Sequence, residues 1–220
     1  MRRLAEPKVV KSSLIAAALS AAFSLPQMLL WENRPWPVWR LEATVFLGGF
    51  VLWAFVFAWH TNYTTRPVFT LKIQPSLMAA ATVGGILLAL TFHYLLDPSM
   101  RRVTPHDFPK DFTHWVASTL FSLAFTQLFL LFAPFAWVMR LIRNEQVATW
   151  MTVALGVVVL IMRINSSPVS VPPLLIVELL ILRIAGFYFG IWFYLRGGIL
   201  IVWWLEFLLE ARHLLAFQGL

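Results

Sequence analysis

Apolar positions in this chain come in long unbroken blocks, not in the alternation of a strand or the narrow stripe of a surface helix. The blocks run from Ser12 to Trp31, Leu41 to His60, Ser76 to Leu96, Trp115 to Met139, Val147 to Ile164, Pro173 to Leu195 and Gly198 to Phe217. Each approaches the ~20 residues that a helix needs to cross a hydrocarbon core. The pattern predicts an all-α, polytopic transmembrane helical bundle of about seven spans, six to eight with the uncertainty of the block ends. An eighth element arises if the region after Asp97 folds back.

The connections carry the turn chemistry. Glu32-NRPWPVWR-Arg40 holds two prolines and interfacial tryptophans, the composition of a headgroup-level loop. Asp97-PSMRRVTPHDFPKDFTH-His114 alternates charge with proline and predicts a surface loop over 97–114. Asn165-SSPVSVPP-Pro173 reads as a tight turn, and Arg196-Gly197-Gly198 as a hairpin making the last two helices antiparallel neighbours. The basic start with Arg2, Arg3, Lys8 and Lys11 resembles a signal peptide, but the run after it is long and further blocks follow. An uncleaved first span with a cytoplasmic N-terminus is expected, in a bacterial inner (plasma) membrane, with a kink at Pro26. Lys and Arg divide almost evenly between the two sides, so the positive-inside bias adds little. No soluble domain or internal repeat is visible, and 1–220 reads as a single integral membrane domain.

Composition agrees. Of 220 residues, 60% are hydrophobic and 12% charged, too little charge to cover a soluble surface. The net charge of +7 would suggest nucleic acid in a soluble protein. Here the basic residues flank apolar blocks, so membrane lipids are the expected partner and nucleic acid is not. Cysteine is absent, which excludes disulfides, thiolate nucleophiles and cysteine-ligated metal centres.

Charges within a spanning helix cost about 2.5–3.5 kcal/mol on insertion scales and are kept for a reason. The ionisable candidates are Glu178, Arg183, Glu206 and Glu210, with Gln127 and Asn165 as neutral polar companions. Glu206 and Glu210 lie four apart and share a helix face. Two carboxylates together in low dielectric need a proton or a cation. Counting outward from the Gly197 hairpin, Arg183 and Glu210 fall at similar depth, so a contact between them, or through Glu206, is expected. Such a contact is a structural ion pair or the floor of a polar pocket. His93 and Asp97 sit four apart and could offer two metal ligands, but residues so placed more often cap a helix end, and no metal site is expected. His213 follows Glu210 by three and can pair with it. No GxSxG, HExxH or glycine-rich phosphate loop occurs, so no cofactor is expected.

The stretch Arg183-IAGFYFGIWFYLRGGILIVWWLEFLLEARH-His213 resembles the CPBP family (CAAX protease and bacteriocin-processing enzymes, also called Abi), which are glutamic intramembrane proteases. The likeness rests on a GxxxG-bearing helix, a short basic glycine turn and a final site helix, over roughly 97–215. Glu206 stands eight after Gly198, where the family has His, and Glu210 stands where it has Asn or Asp. In Phe125-TQLFLLFAPF-Phe135 the EExxxR positions fall on Thr126, Gln127 and Leu131. The FxxxH positions fall on Ile161-MRIN, with Asn165 in place of His. The resemblance implies a multi-helix membrane fold in which a glutamate and histidines activate water. Here all three motifs are changed, and Gln and Asn cannot act as bases.

The reading expected from this is a CPBP-like pseudoprotease that acts as a binding or assembly partner for another membrane protein or a lipid-like ligand. One alternative is an active intramembrane hydrolase of the CAAX endopeptidase type built on Glu206 and Glu210. Another is a small transporter using the intramembrane charges as an ion or proton path.

Overall fold

A computed structural model describes residues 2–32, 34–167 and 169–217. Among them there is no strand, and six helical segments are long and apolar enough to cross a membrane. They are α1 (Pro7–Leu30), α2 (Val38–Thr64), α3 (Pro75–Val103), α4 (Phe112–Ile142), α5 (Glu145–Asn165) and a last segment, Pro173–Phe217.

That last segment is not one rod. Gly198 has φ 70° and ψ −165°, a combination open almost only to glycine. It splits the segment into α6 (173–197) and α7 (199–217). Leu175 packs with Leu96 and Val103, while Arg212 bonds Asp97. In a straight helix Leu175 and Arg212 would stand about 55 Å apart. Both touch the same end of α3, so the chain reverses at Gly198. The expected hairpin is present, and both of its arms are of spanning length.

The 97–114 surface loop is not irregular throughout. α3 continues past Pro98 as far as Val103, and Asp97 is buried. A wide π-helical turn at Phe92–Leu96 precedes the proline and supplies the physical reason. Proline lacks an N–H and its ring collides with the carbonyl four residues back, and a π turn relieves both. The same device recurs in α4, where a π turn at Leu128–Phe132 precedes Pro134. By contrast α1 simply runs through Pro26 to Leu30.

The chain forms two compact units. The first comprises Met1–Val68 and Val116–Ala148. In it, α1 and α2 pack closely, with Gly49 in ordinary contact with Ala17. Ser20 ties three helices together. Its hydroxyl accepts from Trp53 Nε1 at 3.0 Å and donates to the Ala124 carbonyl at 3.1 Å. Ala21, Met28, Leu41 and Val45 form the adjoining core, covered by Phe46, Phe121 and Phe125.

The second unit comprises Phe69–Trp115 and Thr149–Leu220. Small residues set its helix spacing, as in other membrane bundles. A Cβ on Gly85 of α3 would lie 2.9 Å from Leu208 Cδ1 of α7. One on Gly156 of α5 would lie 2.6 Å from Phe187 Cε1 of α6. Gly48 and Gly84, beside their close-packed neighbours Gly49 and Gly85, face open space.

Candidate functional site: a charged cluster on α7

Glu206, Glu210, Arg212 and His213 follow one another along the last turns of α7, and the second unit gathers charged and aromatic groups around them. Arg212 Nε lies 3.3 Å from Asp97 Oδ1 and 3.3 Å from Oδ2, with the two side chains 11% and 6% exposed. A terminal guanidinium nitrogen of Arg212 donates to the Leu209 carbonyl at 2.8 Å, and the group lies over the Phe92 ring. His93 Nδ1 stands 3.9 Å from Asp97 Oδ2. The π turn of α3 therefore supplies Phe92, and the next residue Asp97, to a single arginine.

On the same turn as Arg212, His213 Nε2 lies 3.7 Å from Glu210 Oε2, and the imidazole is buried. This pairing is the one expected from their spacing of three. Phe108 covers His213 edge to face, with centroids 5.4 Å apart, and Arg101 lies over Phe108. Trp115 Nε1 donates to the Glu210 backbone carbonyl at 2.8 Å. Phe207 packs between Trp115 and Trp204. The segment over the site is tied down at Asp107, which forms an ion pair with Arg163 of α5.

Glu206 lies close enough for its charge to act on both Glu210 and Arg183. Among the described residues Arg183 has no ion pair with Glu210 within 4 Å, and Glu206 reaches it through its charge. Arg183 also lies over the Phe187 ring. Glu178 is half-buried on α6, and Asn165 is exposed at the end of α5. Gln127 belongs to the first unit, half-buried on α4 between π turns at Ser122–Thr126 and Leu128–Phe132. Among the described residues, no three or more His, Asp or Glu side chains are grouped so as to hold a metal ion. Asp97 is instead bonded to Arg212, with His93 Nδ1 3.9 Å from its Oδ2.

Sequence reasoning missed Asp97 and Arg212 as a pair. Prolines and alternating charge put Asp97 at the start of a surface loop, and no sequence signal gives Arg212 a partner. Trp203 and Trp204 also pack within the unit. Trp204 Nε1 donates to Thr82 Oγ1 at 2.9 Å, and Trp203 meets Phe69 edge to face. Trp36 and Trp39, in contrast, are exposed beside α2, as interfacial anchors are.

Six long apolar helices and an intramembrane charge cluster define an integral membrane protein of the helical-bundle class. No protein-family model, no curated protein and no solved structure matches the chain.

Proposed function

We propose that this chain is a non-catalytic multi-pass membrane protein that binds or helps assemble another membrane protein or a lipid-like ligand. On this reading it is a CPBP-like pseudoprotease whose site positions have been refilled. The observation that supports it is the Asp97–Arg212 pair, flanked by Glu210–His213. Asp97 on α3 is matched by Arg212 on α7, and the pair braces those two helices against one another. Buried pairs of this kind hold register where hydrophobic contacts alone would let helices slide. Exposed Trp36 and Trp39 support contact with lipid headgroups, and no role with nucleic acid is assigned. The same reading puts the chain in a bacterial inner membrane with its basic N-terminal segment, Arg3, Lys8 and Lys11, in the cytoplasm.

The test combines capture with catalysis. A photo-crosslinking residue at Val83 or Leu87, both exposed on α3, is expected to trap a membrane neighbour in native membranes. Glu210→Gln is expected to leave that product in place. The reading fails if the purified chain cleaves a membrane peptide and Glu210→Gln stops the cleavage.

A second reading rests on Glu210 and His213 at 3.7 Å. A carboxylate beside a buried imidazole is the minimum for acid–base chemistry. This reading keeps the intramembrane hydrolase alternative, with Glu210 as base and Glu206 modulating its charge. The same cleavage assay decides between the two.

A further inference from the structure

Far along the chain from the α7 cluster, in the first unit, two arginines gather about one tyrosine. Tyr63 lies in the last turn of α2. Arg140, near the end of α4, places its guanidinium carbon 5.9 Å from the centre of the Tyr63 ring. Arg143, just past the end of α4, places its own 5.4 Å from the same centre. Arg66, three residues after Tyr63, pairs with Glu145 at 3.2 Å. Among the described residues neither Arg140 nor Arg143 has a carboxylate partner.

Two like charges do not share one ring by default. Each cation is attracted to the ring face, but they repel one another. The backbone holds them there. Arg143 has φ 56°, a left-handed conformation disfavoured for any residue with a Cβ. It closes α4 through its own N–H, which donates to the Met139 carbonyl at 3.0 Å. At the next position Asn144 caps α5, accepting from the Val147 N–H at 3.0 Å. The tight link between α4 and α5 therefore fixes Arg143 at the junction of the two helices, beside Arg140 and Tyr63. The surrounding surface is that of a membrane boundary, with Trp137, Leu141 and Ile142 exposed.

We infer that Tyr63, Arg140 and Arg143 form a binding site for a phosphate-bearing anion, with an anionic lipid headgroup as the occupant. The guanidinium planes offer paired N–H donors to phosphate oxygens. An occupant there would relieve the repulsion between the two arginines, and the exposed apolar side chains nearby would meet its acyl chains. Glu145 already neutralises Arg66, so it leaves the Arg140–Arg143 charge for the ligand. This site owes nothing to the reading of the α7 cluster and holds whether or not the chain is an enzyme.

The test is thermal unfolding of the full chain in a neutral detergent. Added phosphatidylglycerol is expected to raise the unfolding temperature, and phosphatidylcholine is not. In Arg140→Gln/Arg143→Gln the lipid concentration giving half the effect should rise at least tenfold, and in the exposed single variant Arg143→Gln severalfold. Arg34→Gln/Arg102→Gln, which removes as much charge elsewhere, should respond as the native chain does. Inorganic phosphate at millimolar concentration identifies the source. Protection by it that needs the same arginines assigns the site to free phosphate as well, and protection by lipid alone assigns it to the headgroup. The inference is overturned if the Arg140/Arg143 variants keep the full lipid response, or if Arg34→Gln/Arg102→Gln loses as much.

Discussion

Arg212 reaches back 115 positions to set its guanidinium nitrogen 3.3 Å from each carboxylate oxygen of Asp97. Both side chains are almost wholly covered, so each charge depends on the other. Removing one partner strands the other, at a cost of about 3–5 kcal/mol for buried pairs. Arg212→Leu and Asp97→Leu should each destabilise strongly, and the double substitution should cost clearly less than their sum. A double-mutant cycle on detergent unfolding reads the coupling. Additive losses would mean that the two groups do not act as a pair.

Gly198 carries the reversal between α6 and α7. Gly198→Ala forces a Cβ into a backbone region that only glycine adopts freely, which costs on the order of 1–3 kcal/mol. Gly197→Ala meets a different obstacle, the Ile201 side chain at 2.7 Å. Unfolding midpoints of the two variants should both fall, and a Gly198→Ala chain as stable as the original would contradict the turn described.

Gly156 and Gly84 make a matched contrast. A Cβ at Gly156 would meet three ring atoms of Phe187 within 2.8 Å, whereas at Gly84 it would meet nothing within 4 Å. Gly156→Ala should therefore destabilise by about 1–3 kcal/mol through overpacking. Gly84→Ala should be neutral or slightly stabilising, since alanine favours helix. Equal effects at the two sites would show that α5 and α6 are not in close contact at Phe187.

Asp111 lies outside the apolar helices and caps the start of α4. Its Oδ1 accepts from the His114 N–H at 2.9 Å and lies 2.9 Å from His114 Nδ1. These bonds hold its carboxyl below the ordinary aspartate value of 3.8, the backbone bond from His114 foremost. A carboxyl acidified by folding stabilises the folded state at pH above its unfolded pKa. That contribution disappears as pH falls through the lowered value. Amide exchange at His114 and Trp115 should therefore stay constant from neutral pH down to about pH 4 and speed up below it, after correction for intrinsic rates. Asp111→Asn should remove the step.

Several elements were legible because their signal is local. Block length alone marks the spans, and the glycines at 197–198 mark the reversal. The three-residue spacing of Glu210 and His213 marks their pairing. What escaped depends on geometry that accumulates along a helix. Pro98 reads as a stop, but the π turn at Phe92–Leu96 carries the helix past it. Asp97 consequently moves from a loop to the interior. Its partner then follows from the depth at which α7 passes α3, set by the Gly85–Leu208 contact and encoded in no short motif. The same limit explains why Arg183 and Glu210, placed level by counting from the hairpin, do not form the expected ion pair. Counting gives depth and leaves the rotation of each helix open.

The turn at Gly198 also bears on biogenesis. Glu206, Glu210 and Arg212 would make a lone α7 a poor candidate for partitioning out of the translocon, since each charge opposes entry into hydrocarbon. A one-residue reversal delivers α7 with α6 already alongside, so Arg183 arrives together with Glu206. The two helices are therefore expected to enter the bilayer as one inserted pair, α6 acting as escort.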